Sequence, residues 1–299
     1  MANLKEVRER IRSVQNTQQI TSAMKMVSAA KLRRAQMAIT DMRPYANKLN
    51  DMLRNILANL DGDASTSFNQ ERPLQRAALV VVTSNRGLAG AFNTNVIKSA
   101  VKTLKEDLSG ATQIDVYAIG KKGNDYFRRN FAKDERVNLI SDYVGLFEDL
   151  AFDNTQQVPL RIMNAFEAGD YDRAYVSYAR FRNAAVQFAE TEQFLPVLPP
   201  EVEEGAETGK FKADYIFEPS QEELLNYLVP SILQTSFHKY LLDTHASEHG
   251  ARMTAMDKAT ENAQELLRDL KISYNKARQE AITNEILEIV GGAAALEDG

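Results

Sequence analysis

The 299-residue chain contains no cysteine. That excludes disulfides, thiolate metal sites, iron-sulfur clusters and a cysteine nucleophile. Long apolar runs are missing too. The longest, such as Ala77 to Val82, fall far short of the roughly 20 residues that a membrane-spanning helix needs. The first ten residues, MANLKEVRER, are charged and lack the apolar stretch of a secretory signal. From Asn3 to Asn59 there is no glycine, and Pro44 is the single proline. What remains is 44% hydrophobic with a net charge of -5, enough apolar material for a core, so wholesale disorder is excluded. Composition therefore leads us to expect a soluble, cytoplasmic protein.

The charge is unevenly spread. Residues 1–43 hold nine basic side chains and three acidic ones, a local net of +6, which leaves -11 for the rest. A basic segment on an acidic protein could meet nucleic acid, anionic lipid or an acidic protein surface, or could be a solvated helix face.

Stepping by three and four residues from Leu4 passes Val7, Ile11, Val14, Gln18, Thr21, Lys25, Ser28, Leu32, Ala35, Ile39, Met42, Ala46, Leu49, Leu53, Ile56 and Leu60. Thirteen of these 17 positions are apolar and the four exceptions are consecutive, the pattern of a coiled-coil seam with one polar interruption. Around the interruption an apolar stripe runs through Ile20, Ala23, Met24, Val27 and Ala30, so the buried face is expected to shift there. Such a helix would be a rod of about 85 Å. Pro44 should kink it without necessarily ending it.

The middle of the chain reads differently. Strands are expected at Ala77 to Thr83, Ile114 to Ile119, Val137 to Ile140, Ala174 to Phe181 and Val186 to Val197. Helices are expected after SNRGLAGAFN, from Lys121, and from about Phe147 to Ala168. This alternation predicts a small doubly wound, Rossmann-like α/β domain over 74–198, its last two strands forming a hairpin. After an acidic linker at 199–219, Ser220 and Glu223 make a capping box that opens a C-terminal helix, expected to stop at Gly291-Gly292. Pro230 should kink it early. Its seam runs through Met253, Met256, Thr260, Ala263, Leu267, Leu270, Tyr274, Ala277 and Ala281. Ser247, Ala251, Ala255, Ala259 and Ala263 add small residues that let a partner helix approach.

The fold class is thus α/β, with a long antiparallel α-helical coiled coil formed by the N-terminal helix (1–60) and the C-terminal helix (220–291). About 128 residues would belong to these helices and not to a compact core. Packed antiparallel, residue i should face about residue 279 minus i, setting Met24 against Ala255. Residues past 276 would project alone, with Ile282, Ile286 and Ile289 exposed, and such a tip aggregates unless a partner surrounds it.

Catalytic constellations are not apparent. His245-Ala-Ser-Glu248-His249 fits the H-x-x-E-H pattern of a zinc peptidase helix. Yet His249 and Arg252 lie at the expected helix pair, with neither a cleft nor an open coordination position, so no metal site is expected. Thr83-Ser-Asn-Arg-Gly-Leu-Ala-Gly could cradle a phosphate, but it matches neither G-x-x-x-x-G-K-[ST] nor G-x-G-x-x-G. Glycines serving a tight turn are the better reading. The basic N-terminal segment has no aromatic residue before Tyr45, which argues against base stacking.

Long stretches of the chain resemble the gamma subunit of the F-type ATP synthase, of the bacterial type. VRERIRSVQNTQQITSAMKMVSAAKLRRAQ and RPYA are similar to that family's N-terminal helix. SNRGLAGAFN is similar to the first turn of its α/β domain. ASEHGARMTAMDKATENA and YNKARQEAITNEILEIVGGAAAL are similar to its C-terminal helix. The cysteine-bearing insert of chloroplast members is absent, so thiol control is not expected.

The resemblance implies a non-catalytic central rotor stalk with no cofactor of its own, turning inside a ring of three catalytic and three non-catalytic subunits. It implies alpha and beta subunits, an epsilon subunit and a membrane c-subunit ring as partners. Nucleic acid is not implied, nor is transmembrane insertion. The implied place is peripheral, at the cytoplasmic face of the bacterial inner membrane. For coupling, the match points to Met24, Lys25 and Met26 near an acidic lever segment, to charge at Lys31, Arg33 and Arg34, and to Arg252, Gln279, Thr283 and Glu285. Two alternatives stand beside it: an α/β phosphate-binding enzyme with helical dimerisation arms, and a coiled-coil adaptor or nucleic-acid binder with steep salt dependence.

Overall fold

The structure, a computed structural model, describes residues 4–58, 67–197 and 221–297. These form two compact units, residues 1–29 with 252–299 and residues 30–251. In chain order the elements are α1 (Leu4–Ala58), β1 (Arg76–Val82), α2 (Phe92–Lys105), β2 (Gln113–Ile119), α3 (Lys121–Asn130) and β3 (Val137–Ile140). A 3-10 turn (Leu146–Glu148) follows, then α4 (Phe152–Thr155), α5 (Gln157–Glu167), β4 (Arg173–Phe181), β5 (Gln187–Leu195) and α6 (Gln221–Glu297).

In the larger unit, five strands lie in the order β3-β2-β1-β4-β5. β1 pairs in parallel with β2 and β4, β2 pairs in parallel with β3, and β5 is antiparallel to β4. The sheet is doubly wound as expected, with the hairpin added at one edge. Central β1 carries an unbroken apolar run because both of its faces are covered: Ala77 to Val82 are fully buried. Alternate residues serve two cores. Ala77, Leu79 and Val81 pack with Phe92, Val96 and Leu104 of α2 and Phe127 of α3. Ala78, Val80 and Val82 pack with Val158, Ile162 and Phe166 of α5 and with Val229, Leu233, Phe237, Tyr240 and Leu241 of α6.

That last contact corrects the expectation that the C-terminal helix lies outside the compact core. Its first part covers the sheet. A three-and-four spacing specifies which face of a helix is buried, and leaves open whether sheet or helix buries it. The small-residue stripe is corrected likewise. β4 runs past the last residue of its pairing with β1, and the free edge at Ala179 is completed by α6: Thr244 Oγ1 accepts the Ala179 N–H at 3.2 Å and Ser247 Oγ donates to its carbonyl at 3.1 Å. Gly250 sits so close to Ala184 that a Cβ would lie 3.2 Å from its backbone. In this unit the stripe admits the β-hairpin.

Two further expectations fail for local reasons. The single helix from Phe147 to Ala168 is broken into three pieces. Asp149 accepts hydrogen bonds from the Ala151 N–H at 3.0 Å and from Asn154 Nδ2 at 2.7 Å, a turn that competes with helix. Pro159, which lacks an N–H, then falls in the first turn of α5, where none is required. The helix stop at Gly291-Gly292 does not occur. Neither glycine takes the positive φ of a helix-ending cap, and the alanines that follow are strong helix formers, so α6 continues to Glu297. Both long helices continue through their prolines, Pro44 and Pro230. Ser220 of the expected capping box lies outside the described residues.

In the smaller unit, α1 and α6 pair antiparallel. Arg8 donates to the Tyr274 hydroxyl at 2.7 Å, the Thr21 and Thr260 hydroxyls meet at 2.8 Å, and Lys25 Nζ lies 2.5 Å from Asp257. Each pair of numbers adds to 281 or 282, so the register lies two to three residues beyond the expected 279. Met24 consequently faces Asp257 and Lys258 and not Ala255. Ends presumed level gave the estimate; the polar side chains that must meet one another set the actual register.

Candidate functional site

The polar interruption is where the smaller unit departs most from its sequence pattern. The buried face does not shift. Thr21 and Ser28 remain in the seam at 8% and 2% exposure, whereas Ile20 and Val27 of the alternative stripe are 60% and 58% exposed. The polar residues stay because α6 answers them. Thr260 donates to its own helix at Met256 O, 2.8 Å, and Thr21 to Gln18 O, 3.1 Å, while the two oxygens share a third contact. With two hydrogens for three contacts, any two are made at once. Lys25 is answered by Asp257, both partly exposed, so this pair contributes little to stability and much to register.

Polar residues in the seam release apolar ones to the outside. Ile20, Met26 and Val27 are 58–66% exposed on α1. Leu4 stands opposite about residue 278, and beyond it α6 shows Ile282, Ile286, Leu287, Ile289 and Val290 at 47–71% exposure. Exposed apolar surface at this density is characteristic of protein or membrane interaction sites, ligand grooves and aggregation-prone faces.

The sequence-derived site residues distribute as follows. In the smaller unit Met24 and Lys25 are half-buried, Met26 is exposed and Arg252 is buried. Gln279, Thr283 and Glu285 are exposed, with Thr283 Oγ1 donating to the Gln279 carbonyl at 2.9 Å. In the larger unit Lys31, Arg33 and Arg34 are exposed. They form no reaction centre: they are spread along helices, as contact residues would be. Sequence reasoning missed Asp257, which was not in the seam frame and whose sole signal was its charge opposite Lys25.

Several polar groups of the loop after β1 are used internally. Thr83 Oγ1 accepts the Gly123 N–H at 2.8 Å, Asn85 Oδ1 accepts the Lys121 N–H at 3.0 Å, and the Ser84 carbonyl accepts the Lys122 N–H at 3.1 Å. Loop residues thus cap α3, whose first amides would otherwise hold an anion. Ser84 N–H is bonded to Asn93 at 2.9 Å. Gly90 has a φ of 58°, as the turn reading requires, and so, unexpectedly for a side-chain-bearing residue, does Leu88 at 61°.

A cavity of about 280 Å³ lies at the opposite, amino-terminal ends of β1 and β2, lined by Arg76, Asp115, Tyr117, Arg161, Asp170 and Tyr171. Ligands of open α/β sheets bind at the carboxyl ends. Here the polar groups already satisfy one another: Tyr171 donates to Asp115 at 2.6 Å and meets the Tyr117 hydroxyl at 2.8 Å, while Arg76 and Arg161 lie near Asp170 and Asp142. Burial holds both tyrosine hydroxyls above their ordinary range, the wrong direction for a base or nucleophile.

Among the described residues, no helix is long and apolar enough to cross a membrane, and no group of three or more His, Asp or Glu could hold a metal ion. The family model described as ATP synthase matches residues 3–296. A Flavobacterium psychrophilum protein named ATP synthase gamma chain is 54% identical over 297 residues, covering 99% of this chain and all of that one. A Cytophaga hutchinsonii protein of the same name is 52% identical over 301 residues and spans both chains fully. In the Euglena gracilis mitochondrial ATP synthase, solved with OSCP, F1 and c-ring, one chain is similar with a TM-score of 0.62 at 22% identity, over 99% of this chain and 95% of that one. A chain of the Tetrahymena thermophila central stalk and c-ring gives a TM-score of 0.54 at 19% identity, over 80% of this chain and 99% of that one.

Proposed function

The chain belongs to the ATP synthase gamma-chain family, and from that premise we propose that it is the central rotor stalk of an F-type ATP synthase. It is a non-catalytic subunit. The helix pair of the smaller unit, residues 1–29 with 252–299, acts as a shaft inside a ring of three alpha and three beta subunits. The 74–198 domain acts as the foot, joined by the 199–219 linker and attached to the epsilon subunit and the c-subunit ring, at the cytoplasmic face of the inner membrane.

The observation that carries this reading is the apolar surface left outside the helix pair: Ile20, Met26 and Val27 on α1 and Ile282 to Val290 on α6. A helix pair exposing these residues is prone to associate in water unless a partner covers them. The two helices present different side chains on different sides, so one shaft facing three equivalent catalytic subunits biases each toward a different affinity. Turning it by one third exchanges those states. Ion flow that turns the shaft thereby drives release of ATP, and hydrolysis turns it back. In this scheme the nucleotide is bound by the surrounding subunits, and the chain needs no nucleotide site.

Met24, Lys25 and Met26 are proposed to meet the acidic lever of a catalytic subunit, with Lys31, Arg33 and Arg34 adding attraction. Arg252, Gln279, Thr283 and Glu285 are proposed as the α6 positions that transmit torque. Copurification from native membranes tests the reading. The expected result is a complex with three copies each of two larger nucleotide-binding subunits per chain; recovery of the chain without them overturns it.

A further inference from the structure

We propose that His245 and His249 form an exchangeable site for a borderline divalent cation such as Zn2+ or Ni2+. The site is independent of the rotor reading. The two side chains lie one turn apart on α6, and their Nε2 atoms approach to 3.1 Å, with ring centroids 4.6 Å apart and planes at 80°. Two imidazole nitrogens about 2.1 Å from one ion stand about 3.0 Å apart as neighbours in an octahedron and about 3.4 Å apart in a tetrahedron, so the observed separation falls between the two bites. The present contact is a hydrogen bond, in which one ring carries its proton on Nε2 and the other offers a bare Nε2. For both Nε2 atoms to face one ion, the donor ring's proton moves from Nε2 to Nδ1 of the same ring and the His249 ring turns until the two lone pairs converge; both ligands are neutral imidazoles, so no net proton is released.

The surroundings define what kind of site this is. Phe147 stacks on His245 at 6.0 Å and 24°, fixing the plane of that ring. His249 is 5% exposed, but His245 is only half-buried, which leaves an approach from solvent. Among the described residues no third His, Asp or Glu completes a ligand set, so water fills the remaining positions and the ion exchanges freely. The site is therefore unlike the catalytic zinc centre that the H-x-x-E-H pattern suggests, where three protein ligands hold a resident ion. The chain has no cysteine and three histidines, and the third, His238, is engaged with Thr155 at 2.9 Å and with the edge of Phe152.

The test is calorimetric titration of the chelator-stripped, full-length chain with ZnCl2, and separately NiCl2, in two buffers of different ionisation enthalpy. His245→Gln and His249→Gln are measured in parallel, with circular dichroism to check folding. One ion per chain, little or no net proton release between the two buffers, a melting temperature raised by the ion, and at least tenfold weaker binding in both variants is the expected result. Absence of saturable binding overturns the proposal, as does unchanged affinity in His245→Gln or loss in one folded variant alone. Should His249→Gln fail to fold, His245→Gln decides, because its side chain is half exposed.

Discussion

Replacing Gly120 with alanine tests the joint between the β1 loop and α3. Gly120 has φ 89° and ψ 141°, a region that is close to glycine-only, so any side chain there costs about 1–3 kcal/mol in backbone strain. A Cβ would also land 1.9 Å from the Thr83 carbonyl oxygen and 2.6 Å from its carbon. Those are backbone atoms of a fully buried residue, and no rotamer change relieves the clash. Moving Thr83 away strains its N–H bond to the Ile119 carbonyl, 2.8 Å, and its Oγ1 contact with the Gly123 N–H, 2.8 Å. At about 1 kcal/mol for each hydrogen bond and 1–3 kcal/mol for overpacking, added to the strain, the expected loss is about 4–8 kcal/mol. That corresponds to a melting temperature lower by about 8–32 °C for a unit of this size. Gly90→Ala is the matched control. Its φ is 58°, but a Cβ there meets nothing within 4 Å, so it should cost about 1 kcal/mol. Gly110→Ala, with neither constraint, should stay within about 0.5 kcal/mol of the parent. Thermal and urea unfolding of the three variants at equal concentration measures the series. A Gly120→Ala melting temperature within about 3 °C of that of Gly90→Ala would refute the reasoning.

Other expectations follow from the buried polar groups and the shaft. Burial pushes the Asp243 carboxyl up to about 6, against the pull of Lys239, Arg43 and Arg180. The native state therefore holds this proton more tightly than the unfolded chain, whose value is 3.8, and stability falls as pH rises from about 4 to about 6, by at most about 3 kcal/mol. Asp243→Asn should stabilise the chain at pH 7.5 and leave it nearly unchanged at pH 4; equal effects at both pH values in urea melts would exclude this. A double-mutant cycle on Lys25→Ala and Asp257→Ala should give a coupling of about 0.5 kcal/mol at low salt that fades in half-molar salt, because both groups are partly exposed. A salt-independent coupling would mean the pair is effectively buried. Met24→Lys should leave melting within about 2 °C of the parent, since Met24 is half-buried, yet lower the number of ions pumped per ATP hydrolysed by the reconstituted enzyme. An unchanged ratio would count against contact between this part of α1 and a catalytic subunit.

Much of the architecture was legible because its signals are local. The glycine-free seam from Leu4 predicted α1, the buried run at Ala77 predicted β1, and the paired runs after Ala174 predicted the hairpin, each within about two residues at most boundaries. The candidate contact residues were named through stretches that resemble a known family over the length of the chain, and they stand as proposals. Where the reading failed, a residue's partner lay far away in sequence. Val229 to Leu241 have the same spacing whether they face a helix or a sheet, and only the sheet's position decides. Asp149 broke an expected helix through two hydrogen bonds that no apolar pattern reveals.

The polar interruption separates the two kinds of information most clearly. From the sequence alone it follows that Gln18, Thr21, Lys25 and Ser28 are consecutive seam positions, that an apolar stripe runs beside them, and that both ends of the chain are long helices. Hydrophobicity within α1 would turn the stripe inward, because burying Ile20 and Val27 is favourable by itself. The tertiary structure decided the opposite. Thr260 and Asp257 of α6 meet Thr21 and Lys25, and once those groups are satisfied the seam keeps its straight course and Ile20 and Val27 stay outside. Which face of a helix is buried depends on the complementarity of the side chains brought against it, and that is a property of two segments more than two hundred residues apart.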